Sequence, residues 1–222
     1  IDYWPKQAKI IQVDVNSRVL GLVKAIDVAV QGDSRLAASA ILERLQKSNI
    51  AVACHGNRAQ RLAEVKKQKN AWESELDGWG QQGGSPVAPR RALRELERAM
   101  PKGAMVTTDI GNICSVSNSY LHFERPNSFF AAMSFGNCGY AFPTAIGCKI
   151  GAPERPAIAY VGDGAWGISF NEMLTCVREN IAVTAVVFNN NQWGAEKKNQ
   201  VDFYDNRYIG TNLVNPSWAE IA

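Results

Sequence analysis

An almost unbroken apolar run, Ile181–Phe188, constrains the fold of this chain more than any other segment. A strand that is apolar on both sides is typical of the interior of a parallel sheet, where helices cover both faces. A second apolar segment, Ala157–Val161, precedes it, and Ile168–Glu179 lies between the two. This middle segment carries an apolar stripe at helical spacing, made of Phe170, Met173, Leu174 and Val177. Strand, helix and strand in this order predict a right-handed βαβ unit, and hence an α/β fold with a parallel sheet and helices on both faces.

The chain divides by composition into three segments. Residues 1–50 alternate between apolar and polar stretches, as expected for the C-terminal part of an α/β domain. Residues 51–84 are polar and end in glycines, which indicates a helical stretch followed by a Gly-rich linker. Residues 85–222 hold the βαβ unit and are predicted to form a second domain that is truncated at its C-terminus.

Local patterns predict further elements in both domains. Ala8–Val15 is rich in Ile and Val and is predicted to be a strand, and Asp33 or Ser34 would cap the helix that follows it. Pro89–Met100 is predicted to be a helix, and Ala104–Thr108 a short strand.

Composition excludes several classes of protein. The net charge of +3, from 24 basic and 21 acidic residues, is too small to predict binding to nucleic acid or to a membrane surface. No apolar run approaches the about 20 residues that span a bilayer. Two histidines are too few for an ordinary zinc site, and five cysteines without a Cys-x-x-Cys pair are typical of reduced thiols in a cytoplasmic protein.

Polar residues follow both strands of the βαβ unit. Asp163 comes directly after the first strand and Asn190 directly after the second. Because the carboxyl ends of parallel strands meet at one edge of a sheet, we expect the two side chains to converge there. A carboxylate oxygen and an amide oxygen suit Mg²⁺ or Ca²⁺. Gly162 and Gly164 would let the backbone, and the N-terminus of the next helix, approach a phosphate group.

Two other interpretations of the same segment are open. Gly162, Gly164 and Gly167 spell the G-x-G-x-x-G pattern of dinucleotide-binding proteins. That pattern needs an acidic residue after the second strand, where this chain has Asn189–Asn191, and it would place Asp163 against a pyrophosphate. The remaining alternative is a pair of structural turns without a ligand.

The spacing from Gly162-Asp163-Gly164 across 24 residues to Asn189-Asn190 resembles the signature of thiamine-diphosphate-dependent enzymes. The resemblance implies that thiamine diphosphate is bound through Mg²⁺ or Ca²⁺. It further implies that Asp163, Asn190 and the main-chain carbonyl of Gln192 bind the cation.

Other stretches carry the same resemblance and imply contacts with the cofactor. The turn that starts at Gly136-Asn137-Cys138 is similar to the one that holds the aminopyrimidine ring, and the Gly136 carbonyl would bind its amino group. Cys138 stands where a bulky residue often forces the cofactor to bend, although a buried structural cysteine is the alternative. The remaining contacts are implied for Ile110, Gly111, Asn112, Gly162, Gly164, Ala165, Trp193 and Gly194. Residues 1–50 resemble the end of the family's Rossmann-like central domain.

Within the family, residues 162–170, 171–179 and 192–199 resemble sulfoacetaldehyde acetyltransferases more than acetolactate synthases. The implied reaction, part of taurine catabolism, converts sulfoacetaldehyde and phosphate to acetyl phosphate and sulfite in a homodimer or homotetramer. Glu196 is predicted to handle a proton, or else to pair with Lys197 or Lys198. These lysines are candidates for binding an anion, or are simply exposed.

The ends of the sequence lead to one more expectation. The chain opens on Ile1 rather than methionine and stops at Ala222, inside a predicted helix start. We therefore expect a C-terminal fragment that lacks the domain with the family's activating glutamate and that is inactive alone. Two alternatives stay open: another thiamine-diphosphate carboligase or decarboxylase, such as an acetolactate synthase, or a non-catalytic module that keeps the cofactor pocket.

Overall fold

The computed structural model describes residues 7–48 and 57–222, and the chain divides into two compact units between Lys66 and Lys67. The domain boundary predicted at residue 50 lies outside the described residues. Within them the strands are β1 (Ile11–Asp14), β2 (Val28–Gln31), β3 (Met105–Thr108), β4 (Phe129–Ala131), β5 (Ala157–Gly162) and β6 (Thr184–Phe188). The helices are α1 (Ser34–Lys47), α2 (Arg58–Gly80), α3 (Pro89–Ala99), α4 (Asn112–Tyr120), α5 (Ala141–Gly151), α6 (Asp163–Ser169), α7 (Met173–Arg178), α8 (Gly194–Phe203) and α9 (Trp218–Ile221).

The first unit contains a parallel pair of strands, β1 and β2, followed by α1. Of the two capping candidates, Asp33 is the N-cap, because its Oδ1 accepts hydrogen bonds from the backbone N–H groups of Arg35 and Leu36 at 3.0 Å each. These bonds satisfy amides that have no partner within the helix. The predicted strand is confirmed in a shorter form, since pairing with β2 covers only Ile11–Asp14.

The second unit is built on a parallel four-stranded sheet with the order β4-β3-β5-β6. Along β5, Ile158 and Tyr160 pack in one apolar cluster with Leu93 of α3 and Tyr120 of α4. The residues between them pack on the other face, in a cluster with α5 and α6 made of Ala157, Ala159, Val161, Phe142, Ile146 and Trp166. Side chains alternate between the two faces because a strand has a period of two. The predicted fold class, a parallel sheet with helices on both faces, is confirmed.

Two predicted elements differ from the structure. The helix predicted for Ile168–Glu179 is instead α6, a 3₁₀ turn at Phe170–Glu172, and α7. Consequently the predicted stripe is split: Phe170 and Met173 pack against the core, whereas Leu174 and Val177 are 75% and 82% exposed.

The strand predicted for Ile181–Phe188 begins only at Thr184, and its residues are half-buried or exposed rather than buried. The reason is its position, because among the described strands β6 lies at the end of the sheet and pairs only with β5. Its apolar character alone could not distinguish an outer strand from an inner one.

The amino ends of the sheet strands are joined by a partly buried hydrogen-bond network around Arg155. Its guanidinium donates from Nε to the carbonyl of Gly103 at 2.9 Å, from Nη1 to the carbonyl of Asn127 at 3.0 Å, and from Nη2 to Oγ of Ser128 at 2.7 Å. These residues lie just before β3, β4 and β5, so one side chain ties three strands together. Lys149 adds bonds to the carbonyls of Pro153 and Arg155.

None of the helices in the described part of the chain combines the length and the apolar character needed to cross a bilayer.

Candidate cofactor and cation site

The strands β5 and β6 end side by side at a cleft on the opposite edge of the sheet. Gly162 pairs with Phe188 in their parallel register, so Asp163 and Asn189 follow at the same level. Asn190 comes one residue later, and both it and Asp163 line the cleft. The predicted acid and amide therefore lie at one edge, the edge that the carboxyl ends of parallel strands share.

The cleft has a volume of about 800 Å³ and holds nearly all of the residues predicted to contact a cofactor or cation. They are Ile110, Gly111, Asn112, Gly136, Cys138, Gly162, Asp163, Gly164, Ala165, Asn190, Gln192, Trp193, Gly194 and Glu196. Asn137 is not among the residues that line it. One wall was missed, an apolar segment at the start of α3 formed by Pro86, Val87, Pro89 and Ala92. No sequence signal identified this wall, because only tertiary folding brings it to the cleft.

Gly164 is required by a neighbouring side chain. A Cβ atom at this position would lie 2.7 to 2.8 Å from three ring carbons of Trp193, closer than such atoms approach in proteins. The indole therefore packs directly on the first turn of α6. The sequence predicted this glycine for close approach of a phosphate, whereas the structure shows close approach of Trp193.

The side-chain amides of Asn112 and Asn190 both lie next to Gly194. A Cβ atom at Gly194 would lie 3.5 Å from the Nδ2 atoms of both asparagines, so the two amides flank the same short stretch of backbone. Asn112 is the first residue of α4, and it follows Gly111, whose φ of 130° favours glycine. The N-terminal N–H groups of α4 lack helical partners, and together with the helix dipole they favour an anion in this part of the cleft.

Asp109 is a buried acid that the sequence interpretation missed, although it directly precedes Ile110, Gly111 and Asn112, which were predicted to contact the cofactor. Its side chain is fully buried after β3, and its Oδ1 accepts a hydrogen bond from the backbone N–H of Tyr140 at 2.7 Å. Its Oδ2 has no partner. Burial raises the pKa of this carboxyl above its usual 3.8, and backbone N–H groups of Tyr140, Ala141 and Gly139 oppose the rise. Asp109 thus anchors the end of the turn that begins at Gly136.

Asn215 is a second residue that was missed. Its Nδ2 donates to Oδ2 of Asp163 at 2.6 Å, to Oδ1 of Asn189 at 2.9 Å and to Oδ1 of Asn191 at 3.2 Å. The sequence placed Asn215 at a helix start, and α9 does begin shortly after it, at Trp218. The contact with Asp163 spans 52 residues, so no local pattern could predict it.

Glu196 lies in the first turn of α8 and lines the cleft, whereas the two lysines that follow it do not. Lys197 donates to Oδ1 of Asn212 at 2.9 Å, and Lys198 forms an ion pair with Asp202. The alternative in which Glu196 pairs with a lysine is therefore wrong. Burial raises the pKa of the Cys138 thiol, and the negative charges of Asp109 and Glu196 raise it further.

The oxygen atoms at this edge fit a hard divalent cation. Asp163 is 2% exposed, and its Oδ2 accepts a hydrogen bond from the Nδ2 of Asn215, which also donates to the amide oxygens of Asn189 and Asn191. The Oδ1 of Asn190 accepts a hydrogen bond from the backbone N–H of Gln192, two residues later, at 3.3 Å. Among the described residues, no three His, Cys, Asp or Glu side chains are arranged to hold a metal. A cation here would therefore depend on one carboxylate with amide and main-chain oxygens, a set that suits Mg²⁺ or Ca²⁺.

Known proteins resemble this chain over its whole length. It is 55% identical to a sulfoacetaldehyde acetyltransferase of Castellaniella defragrans and 52% identical to one of Alcaligenes xylosoxydans xylosoxydans, in both cases over 100% of the chain. It is 26% identical to the acetolactate synthase large subunit of Corynebacterium glutamicum, over 97% of the chain. The chain spans 39%, 40% and 33% of the length of these three relatives.

A family model described as the C-terminal TPP-binding domain of thiamine pyrophosphate enzymes matches residues 109–222. The matched range begins at Asp109, the buried acid, and includes Asp163, Asn190 and Asn215. The chain belongs to the thiamine pyrophosphate enzyme family and carries its C-terminal domain, the one that binds thiamine diphosphate.

Proposed function

We propose that Asp163, Asn190 and the main-chain carbonyl of Gln192 bind one Mg²⁺ or Ca²⁺ ion that holds the diphosphate of the cofactor. The single observation that supports this most strongly is the paired ending of β5 and β6, which puts the acid and the amide at one edge of one cleft. The N-terminus of α4, at Asn112, would receive further negative charge of the diphosphate.

We further propose that the remaining residues of the cleft position the organic part of the cofactor. The Gly136 carbonyl would accept a hydrogen bond from the aminopyrimidine, and Asn137 and Cys138 would complete this turn. Ile110, Gly111, Gly162, Gly164, Ala165, Trp193 and Gly194 are the other proposed contacts. When bound, thiamine diphosphate supplies the carbon nucleophile that takes up and releases an acyl group.

For the whole protein we propose the conversion of sulfoacetaldehyde and phosphate to acetyl phosphate and sulfite. The support is the name shared by the relatives that are 55% and 52% identical to the chain over its full length. Glu196, an acid on the wall of the cleft, would hold or pass a proton during this reaction. Sulfite is the leaving group and no external oxidant is consumed.

We also propose a cellular compartment, an oligomeric state and a domain organisation for the whole protein. The whole protein would be a cytoplasmic homodimer or homotetramer, and the small net charge of this chain, +3, gives no reason to expect a nucleic acid or membrane partner. We propose that residues 1–50 belong to a central domain, that residues 51–84 connect it to the next domain, and that residues 85–222 form the diphosphate-binding domain.

The substrate is tested with a chimera in which this chain replaces the matching part of the Castellaniella defragrans relative. We expect phosphate-dependent release of sulfite and formation of acetyl phosphate from sulfoacetaldehyde, while the isolated chain shows no turnover. The relative itself is the control for folding and assay.

Two outcomes would favour the alternatives. Formation of acetolactate from pyruvate without sulfite release would assign the chain to the acetolactate synthases. Tight binding of thiamine diphosphate with neither reaction would make it a non-catalytic module.

A further inference from the structure

The side-chain amide of Asn215 contacts the cation loop, which we define as residues 189–194. Three oxygens surround its Nδ2 within 3.2 Å: the Oδ2 of Asp163 and the Oδ1 atoms of Asn189 and Asn191. We propose that Asn215 is a positioning residue that fixes the Asp163 carboxylate to the cation loop and so prepares the loop for the ion. This inference rests on the proposed function, because it concerns the same site.

The hydrogen-bonding capacity of the cluster explains why a donor is needed. One carboxylate oxygen and two amide oxygens carry lone pairs and no hydrogens, so they repel one another when brought together. An amide nitrogen carries two hydrogens, and the shortest of the three contacts, at 2.6 Å, is to the charged oxygen of Asp163. The two hydrogens of Asn215, shared among three acceptors, therefore offset the repulsion between the residues that follow β5 and those that follow β6.

Backbone bonds hold Asn215 in reach of this cluster. The N–H of Trp193 donates to the carbonyl of Thr211 at 2.8 Å, and the N–H of Leu213 donates to the carbonyl of Asn191 at 2.9 Å. Gln192 and Asn212 form an antiparallel bridge between these bonds. Residues 211–215 thus run alongside the cation loop, and their direction delivers the Asn215 side chain to Asp163.

The pattern of contacts leaves Asn190 facing the cleft. Asn215 binds the asparagines on either side of it, Asn189 and Asn191, while the Nδ2 of Asn190 lies against Gly194. Holding both neighbours limits the positions available to the residue between them. Asn215 would in this way orient two proposed ligands, Asp163 directly and Asn190 through its neighbours.

The test compares Asn215→Ala and Asn215→Asp with Asn212→Ala. Asn212 lies on the same segment and bonds Lys197 rather than Asp163. The Asn215→Asp change keeps the size of the side chain but removes both hydrogens and adds a negative charge next to Asp163. Hydrogen–deuterium exchange of residues 189–194 is measured without metal, and Mg²⁺ is then titrated calorimetrically in the presence of thiamine diphosphate.

We expect faster exchange of residues 189–194 in Asn215→Ala and faster still in Asn215→Asp, with Asn212→Ala like wild type. The apparent Mg²⁺ affinity of Asn215→Ala should fall about tenfold, the usual effect of losing a residue that orients a metal ligand. Exchange in Asn215→Asp equal to wild type would overturn the proposal, because size alone would then suffice. If the wild-type chain shows no Mg²⁺-dependent binding, the proposed function fails, while the exchange measurement still decides the role of Asn215.

Discussion

The amino and carboxyl edges of the second unit's sheet differ in their balance of hydrogen-bond donors and acceptors. At the amino edge, Arg155, which itself precedes β5, donates to acceptors that precede β3 and β4 through three bonds of 2.7 to 3.0 Å. At the carboxyl edge acceptors outnumber donors: Asp109 keeps one oxygen without a partner, and three oxygens share the amide of Asn215. The first arrangement stabilises the fold, and the second gathers the oxygens next to the proposed cation site around a single donor.

This difference indicates which edge of the sheet contributes to ligand binding and which contributes to the stability of the fold. A buried acceptor without a partner costs free energy, so the Oδ2 of Asp109 makes the carboxyl edge less stable than it could be. In the proposed function this cost is offset when the cation and the N–H groups of α4 bind the diphosphate. Substitutions at the carboxyl edge should therefore change binding, and those at the amino edge should change stability.

The largest effect is expected at the only acid among the proposed cation ligands. Asp163→Ala should weaken Mg²⁺-dependent binding of thiamine diphosphate by about 100-fold or more, since losing even a residue that supports a ligand costs 10- to 100-fold. The free energy of unfolding should change little, because the substitution also removes a buried charge. Calorimetry checks the first point and urea unfolding the second. Asp202→Ala, an acid paired with Lys198 on the surface, should bind like wild type.

Arg155→Met tests the opposite edge. It leaves acceptors at Gly103, Asn127 and Ser128 without their donor, so the free energy of unfolding should fall by about 2 kcal/mol. Arg178→Met is the matched control, because that side chain is 71% exposed and bonds only its neighbour Glu179, a contact worth about 0 to 1 kcal/mol. Weaker cofactor binding in folded Arg155→Met, with unchanged stability, would break the comparison.

Gly164→Ala tests whether close packing in the cleft affects both binding and stability. The new methyl group must displace the ring of Trp193, so we expect a loss of about 1 to 3 kcal/mol in the free energy of unfolding and weaker cofactor binding. Gly147→Ala, in α5 with nothing within 4 Å of the new Cβ, should instead be neutral or stabilising by up to about 1 kcal/mol. Equal behaviour of the two variants would show that Trp193 does not restrict this position.

Asp109→Asn should have the smallest effect, and it concerns pH. Because burial raises the pKa of Asp109 in the folded protein, the folded state holds its proton more tightly than the unfolded chain. Stability from this group is full below the unfolded pKa, near 3.8, and is lost as the pH rises through the folded pKa. The asparagine variant should lack this decline, so its melting temperature should fall less than that of wild type between about pH 4 and neutrality. Parallel pH profiles of the two proteins would contradict this account of Asp109.

Local sequence patterns predicted the parts of the site that local geometry determines. An acid after one strand and an amide after the next must meet if the strands are parallel neighbours, and Asp163 and Asn190 do line one cleft. Capping by Asp33 is equally local, because the acceptor and its amides are two and three residues apart.

Contacts between distant residues could not be predicted in the same way. Asn215 reaches Asp163 only because residues 211–215 return alongside the cation loop, and the apolar wall from Pro86 to Ala92 arrives with α3. The break at Phe170–Glu172 was also missed, because apolar residues spaced for one helix serve equally well in two short ones.

The central claim is that Asp163 and Asn190 share one ion, and a crystal structure with thiamine diphosphate and Mn²⁺ in place of Mg²⁺ tests it most directly. We predict a single anomalous peak within about 2.5 Å of a carboxylate oxygen of Asp163, the Oδ1 of Asn190 and the carbonyl oxygen of Gln192. A peak whose ligands include neither Asp163 nor Asn190, or cofactor bound with no ion between them, would contradict the account.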